Sequence, residues 1–124
     1  MYSKFGQFID GKWQASSSNE TYDVINPATE DIIGKASKAS VADVDKALKS
    51  AEKGFETWKK FTPWDRARII RKIADLIRKK NNELAKWMTL ETGKPLSEGL
   101  AEASGSADIF EWNAEETKRI YGQT

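Results

Sequence analysis

From Ser40 onward, apolar residues recur with a helical period, and the breaks in that rhythm divide the rest of the chain into four helices. Val41, Val44, Ala47, Leu48, Ala51, Phe55 and Trp58 fall on one face and predict a helix over about 41–60. Ser40 and Asp43 place a hydroxyl and a carboxylate at its first turn, where free N–H groups and the positive dipole end favour them. Asp65, Arg66, Ile70, Ile73, Ala74 and Ile77 continue the rhythm over 63–80, after a capping threonine and a proline at Thr62-Pro63. Beyond Asn81-Asn82, the positions Leu84, Trp87, Met88 and Glu91 mark a third helix over 82–92, ended by Thr92-Gly93. Residues 64–95 therefore read as a helical pair against which the flanking segments pack.

The fourth helix is predicted over 96–121 and closed by Gly122. Its first half is nearly all small: Gly99, Ala101, Ala103, Ser104, Gly105, Ser106 and Ala107. Two interior glycines weaken a free helix by about 2 kcal/mol. A chain tolerates that where another backbone comes very close, or where a ligand channel needs room. Gly54, inside the first stripe, raises the same expectation of close packing. The second half, around Ile109, Phe110 and Trp112, is bulky again.

Ahead of Ser40 the pattern changes to period two. Asp10-Gly11, flanked by apolar residues over 7–13, signals a tight hairpin turn. Residues 16–19 are a polar loop, and 21–25 alternate as a strand that Asn26-Pro27 stops. A weaker strand follows over 31–36. Strands over about 7–36 thus form a small antiparallel element, too small to stand alone. Residues 1–6 read as a loosely tied terminus. The fold class is α+β and mostly helical, and 124 residues suit one domain.

Composition narrows the chemistry. Twenty basic against nineteen acidic residues, net +1, argue against nucleic-acid and membrane-surface binding. The run Arg78-Lys79-Lys80 reads as a solvated helix end. With no cysteine and no histidine, these residues offer no disulfide, no thiolate or imidazole metal ligand and no cysteine nucleophile. No apolar run approaches the roughly 20 residues that span a bilayer, and no signal-peptide pattern opens the chain. The expected location is cytoplasmic. Neither glycine-rich phosphate-loop pattern is present. Glu98 with Glu102, and Glu115 with Glu116, could be paired carboxylates, but solvated helix positions explain them more simply. Trp58, Trp87 and Trp112 lie on apolar stripes and read as core. Arg66, near the positive end of a helix, needs a carboxylate or carbonyl partner and reads as a half-buried strut.

Six landmarks in order carry a family resemblance: FIDGKW (8–13), YDVINPATEDIIGKAS (22–37), DVDKALKSAEKGFETW (43–58), DRARIIRKIADLI (65–77), ELAKWMTLETGKPLSE (83–98) and FEWNAEETKRIYGQT (110–124). The series resembles the N-terminal part of the NAD(P)-dependent aldehyde dehydrogenase superfamily. Its last landmark is similar to the succinate-semialdehyde dehydrogenase branch. The resemblance implies that residues 1–124 are a single N-terminal segment of the cofactor-binding domain, a part of the α/β aldehyde dehydrogenase fold. The family's cysteine nucleophile, glutamate base, oxyanion asparagine and cofactor-binding glycine motif all lie downstream, so no catalytic and no cofactor-binding residue is carried over here. NAD or NADP would be bound by the full-length enzyme and not by this segment alone. The expected partners are the rest of the enzyme chain and a small aldehyde, with a homodimer or homotetramer for the complete enzyme. On the family pattern, Glu102, Ser106, Ile109 and Phe110 would reach the wall of the substrate tunnel. A segment of this kind would be inactive alone and would expose a large apolar patch. The alternative is a stand-alone, non-catalytic helical interaction module derived from the same fold.

Overall fold

In the computed structural model, which describes residues 6–122, the chain divides into two compact units, Met1–Lys59 and Lys60–Thr124. The expectation for the first few residues lies largely outside the described ones.

The first unit begins with strands β1 (Gln7–Ile9) and β2 (Lys12–Gln14), joined by the Asp10-Gly11 turn with φ of 52° and 75°. They pair antiparallel, with Phe8 opposite Trp13 and the two rings 5.2 Å apart on the exposed face. Ile9 points the other way and is buried. Strands β3 (Thr21–Ile25) and β4 (Ile32–Ser37) form a second antiparallel pair with an irregularity at Val24/Ile25. The strands are therefore two separate two-stranded sheets rather than one element. Asn26 shapes the turn between β3 and β4. Its side-chain oxygen accepts from the Ala28 N–H at 3.0 Å, and its carbonyl accepts from the Glu30 N–H at 2.8 Å.

Helix α1 (Val41–Trp58) opens on a reciprocal cap. The Ser40 hydroxyl accepts from the Asp43 N–H, and the Asp43 carboxylate accepts from the Ser40 N–H at 2.9 Å. Asp43 does more than cap. It is buried and also accepts from the Ser16 hydroxyl at 2.8 Å, the Ser17 N–H at 3.2 Å and the Gln7 amide at 3.5 Å. One carboxylate thus ties β1 and the 16–19 loop to the start of α1. The expected burial of the α1 stripe is not found: Val41, Val44, Leu48 and Phe55 are exposed, and only Ala47 and Trp58 are half-buried. Nothing approaches a Cβ built on Gly54, so close packing does not account for that glycine.

The second unit holds α2 (Pro63–Lys79), α3 (Asn81–Thr92) and α4 (Leu96–Glu116). The Thr62 hydroxyl caps α2 by accepting from the Asp65 N–H at 3.2 Å, and Arg66 is half-buried one turn in. Gly93 ends α3 in the left-handed conformation, φ 73°. Both α2 and α3 pack on α4 far more than on each other, so the organising element is α4 and not the 64–95 pair. The interior is a seam of small residues: Ala67 and Ala74 from α2, Ala85 from α3, and Gly99, Ala103, Ala107 and Ala114 from α4. A Cβ on Gly99 would stand 2.8 Å from the Ala85 carbonyl oxygen and 3.3 Å from its Cα. Here backbone meets backbone. Gly105, six residues on, meets nothing.

Ion pairs flank the seam. Arg78 bridges from α2 to Asp108 at 2.9 Å and Glu111 at 2.5 Å on α4, and Arg71 pairs with Glu115, which Lys118 also reaches at 2.9 Å. The basic run at 78–80 is exposed as expected, with Arg78 ion-paired at the surface, and Glu115 is not part of a carboxylate pair. Exposed pairs of this kind add little stability. Helix α4 stops at Glu116 and tightens to a 3-10 turn, Thr117–Arg119, short of the expected Tyr121. The Thr117 hydroxyl donates to the Asn113 carbonyl at 2.8 Å, satisfying a terminal acceptor from within. Trp112 is 69% exposed, against its expected place in the core, while Trp87 is half-buried.

Two outcomes test this packing. Gly99→Ala forces the Ala85 backbone to move, at about 1–3 kcal/mol for overpacking, against about 1 kcal/mol gained in helix propensity. It should destabilise the chain in urea unfolding, while Gly105→Ala stabilises it by about 0.5–1 kcal/mol. The second concerns Asp43. The Ser40 N–H, then the Ser16 and Ser40 hydroxyls and the Ser17 N–H, hold its pKa far below the ordinary 3.8, outweighing its burial. A depressed carboxylate stabilises the fold above its unfolded pKa and loses that contribution as pH falls toward the folded value. Asp43→Asn should thus be less stable at neutral pH, and the gap from the parent chain should close as pH drops below 3.8.

Candidate functional site

Small residues turn one side of α4 inward and leave the other side free to carry chemistry. Glu102, Ser106 and Ile109 stand at i, i+4 and i+7 and so share one face. Glu102 is exposed, Ser106 is half-buried and Ile109 is 64% exposed. Phe110 sits off that stripe, beside the seam formed by Ala103, Ala107 and Ala114, and is 38% exposed. The helix therefore groups three of the four expected residues on one face and puts the fourth at its edge.

Glu102 is not half of a carboxylate pair with Glu98. Its Oε1 accepts from Lys94 Nζ at 2.6 Å. The Lys94 side chain is 22% exposed and the Glu102 side chain 54%, so a partly sheltered cation holds an exposed anion. Lys94 lies in the corner between α3 and α4, and periodicity gave no sign of the contact, because the chain turns between the two residues. Asn113, a further turn along the stripe, donates its amide to the Ile109 carbonyl at 2.8 Å. The stripe thus presents an ion pair, a hydroxyl and apolar surface. Among these residues there is no activated nucleophile and no free base.

The first unit carries two shallow grooves that sequence reasoning did not single out. One, of about 200 Å³, is lined by Asp10, Lys46, Lys49, Ser50 and Lys53. The other, of about 180 Å³, lies between β1 and α1 and includes Phe8, Asp43 and Val44. The Asp43 carboxylate beside it is saturated with donors, which keeps it ionised and unfit to act as a base. Among the described residues, no group of three His, Cys, Asp or Glu could hold a metal ion, and no helix is long and apolar enough to cross a membrane. Both sheets are antiparallel pairs. A dinucleotide pyrophosphate is cradled by a strand–turn–helix of the parallel βαβ kind, and the described residues do not fit it, so no step of hydride transfer is assigned to them.

Comparison with known proteins places this architecture. Succinate-semialdehyde dehydrogenase (NADP(+)) 2 of Schizosaccharomyces pombe is 40% identical over 115 residues, which cover 93% of this chain and 23% of that protein. Glutarate-semialdehyde dehydrogenase of Pseudomonas aeruginosa is 39% identical over 117 residues, 94% of this chain and 24% of that one. The crystal structure of an NAD-dependent aldehyde dehydrogenase from Sinorhizobium meliloti superposes with a TM-score of 0.94 at 32% identity, covering 99% of this chain and 25% of that one. The chain thus spans about a quarter of the length of the relatives it matches. The sequence pattern of the Aldehyde dehydrogenase family matches residues 13–124. With that match, and with the two hairpins and four helices shared with a solved member, the chain belongs to the aldehyde dehydrogenase family.

Proposed function

We propose that this chain is the N-terminal scaffold of an enzyme that oxidises a small semialdehyde, such as succinate semialdehyde, to the carboxylic acid with NAD or NADP. Two of its relatives are named for succinate and glutarate semialdehyde, aldehydes whose far end is a carboxylate. The reactive thiolate and the cofactor cradle come from the rest of the enzyme, since the chain has no cysteine. In the complete enzyme, a homodimer or homotetramer, Glu102, Ser106, Ile109 and Phe110 line the substrate entrance.

The observation that carries this reading is the inversion of the usual packing. No large side chain is fully buried among the described residues, while Val41, Leu48, Phe55, Trp64, Ile109 and Trp112 are exposed. An apolar surface of this extent is shaped to meet a larger body.

The test has two arms. Alone, with succinate semialdehyde and NAD or NADP, the chain should form no reduced cofactor. Replacing the matching quarter of the Schizosaccharomyces pombe relative with residues 13–124 should give a folded chimaera that oxidises the aldehyde. Reduced cofactor from the chain alone, or a folded chimaera without turnover, contradicts the proposal.

A further inference from the structure

The corner between α3 and α4 fixes Lys94 from both sides. Gly93 before it is left-handed, φ 73°, and Pro95 after it caps α4 with φ −57°. With its backbone held, the side chain reaches across the first two turns of α4 and meets Glu102 Oε1 at 2.6 Å. Of Glu102, Ser106 and Ile109, only Glu102 is charged. Glu98, one turn earlier, lies in the first turn of α4, where the helix dipole offsets a negative charge.

We infer that Lys94 sets substrate specificity by cancelling the charge of Glu102, so that an aldehyde with an anionic far end can pass the α4 stripe. The inference rests on the reading that Glu102 lines the substrate entrance. A bare carboxylate there repels a second carboxylate, while a paired one presents a dipole without net charge. Lys94 is a positioning residue: it acts on substrate through Glu102 and touches no reacting atom. The corner is built by Gly93 and Pro95, so losing the pair, whose Glu102 end is exposed, leaves it in place.

The experiment uses the chimaera described above and compares succinate semialdehyde with butanal, which has the same four carbons and no charge. The readout is the ratio of their kcat/KM values. One unmasked charge at roughly 8 Å across a solvated helix face changes a rate about five-fold. Lys94→Met should therefore lower the ratio about five-fold, mainly through KM for the anionic aldehyde. Adding Glu102→Gln should restore the ratio, and raising the salt should shrink the loss by screening. Equal losses on both aldehydes would mean that Lys94 only braces the corner, and would overturn the inference. So would a loss that Glu102→Gln fails to restore, because Lys94 would then not act through Glu102. A chimaera that does not fold, or that folds and oxidises neither aldehyde, removes the functional reading and this inference with it.

Discussion

The contact on which the second unit depends is the approach of the α3 backbone to α4 at Ala85 and Gly99. With no Cβ on Gly99, the Ala85 carbonyl oxygen occupies the space a side chain would need. The alanines along α2, α3 and α4 extend that closeness into a seam. Alongside this seam of methyl groups, Arg71 and Arg78 of α2 pair with acids of α4. Packing small residues inside also leaves the bulky ones on the outside. The exposed faces of these helices thus follow from the interior and are not an independent feature.

The first unit is held together differently. Its strand pairs are too short to be stable alone, and its helix shows most of its apolar stripe to solvent. Its tie is polar: Asp43 gathers donors from Gln7, Ser16, Ser17 and Ser40. Such a buried carboxylate is stabilising only while charged and fully bonded. That makes β1, the 16–19 loop and the start of α1 a single assembly that loosens as pH falls below the ordinary carboxylate pKa.

Local signals in the sequence were legible wherever the physics is local. Asp10-Gly11, Ser40 with Asp43, Thr62-Pro63 and Gly93 each specify their own turn or cap, and each does so in the structure. Tertiary consequences were harder to read. Gly54, Gly99 and Gly105 look alike in sequence, yet only Gly99 faces another backbone. Trp112 and the α1 stripe have the spacing of core residues, but periodicity says only that a face is apolar, not that this chain covers it. The gathering of donors on Asp43 and the Lys94–Glu102 pair join residues separated by turns, which no pattern along the chain reveals. For the candidate site, Glu102, Ser106, Ile109 and Phe110 came from the family resemblance; α4 sets the first three on one face, and nothing along the chain pointed to the Lys94 cation that pairs with Glu102.

This chain buries little apolar surface of its own, and on the proposed reading its large side chains are shaped to meet the rest of a larger enzyme. The heat-capacity change of unfolding measures that quantity directly, since it scales with the apolar area exposed. A self-sufficient globular chain of 124 residues should show about 1.5–1.9 kcal/mol/K. Calorimetry on the isolated chain should give a value well below that range, and a value within it would contradict the account.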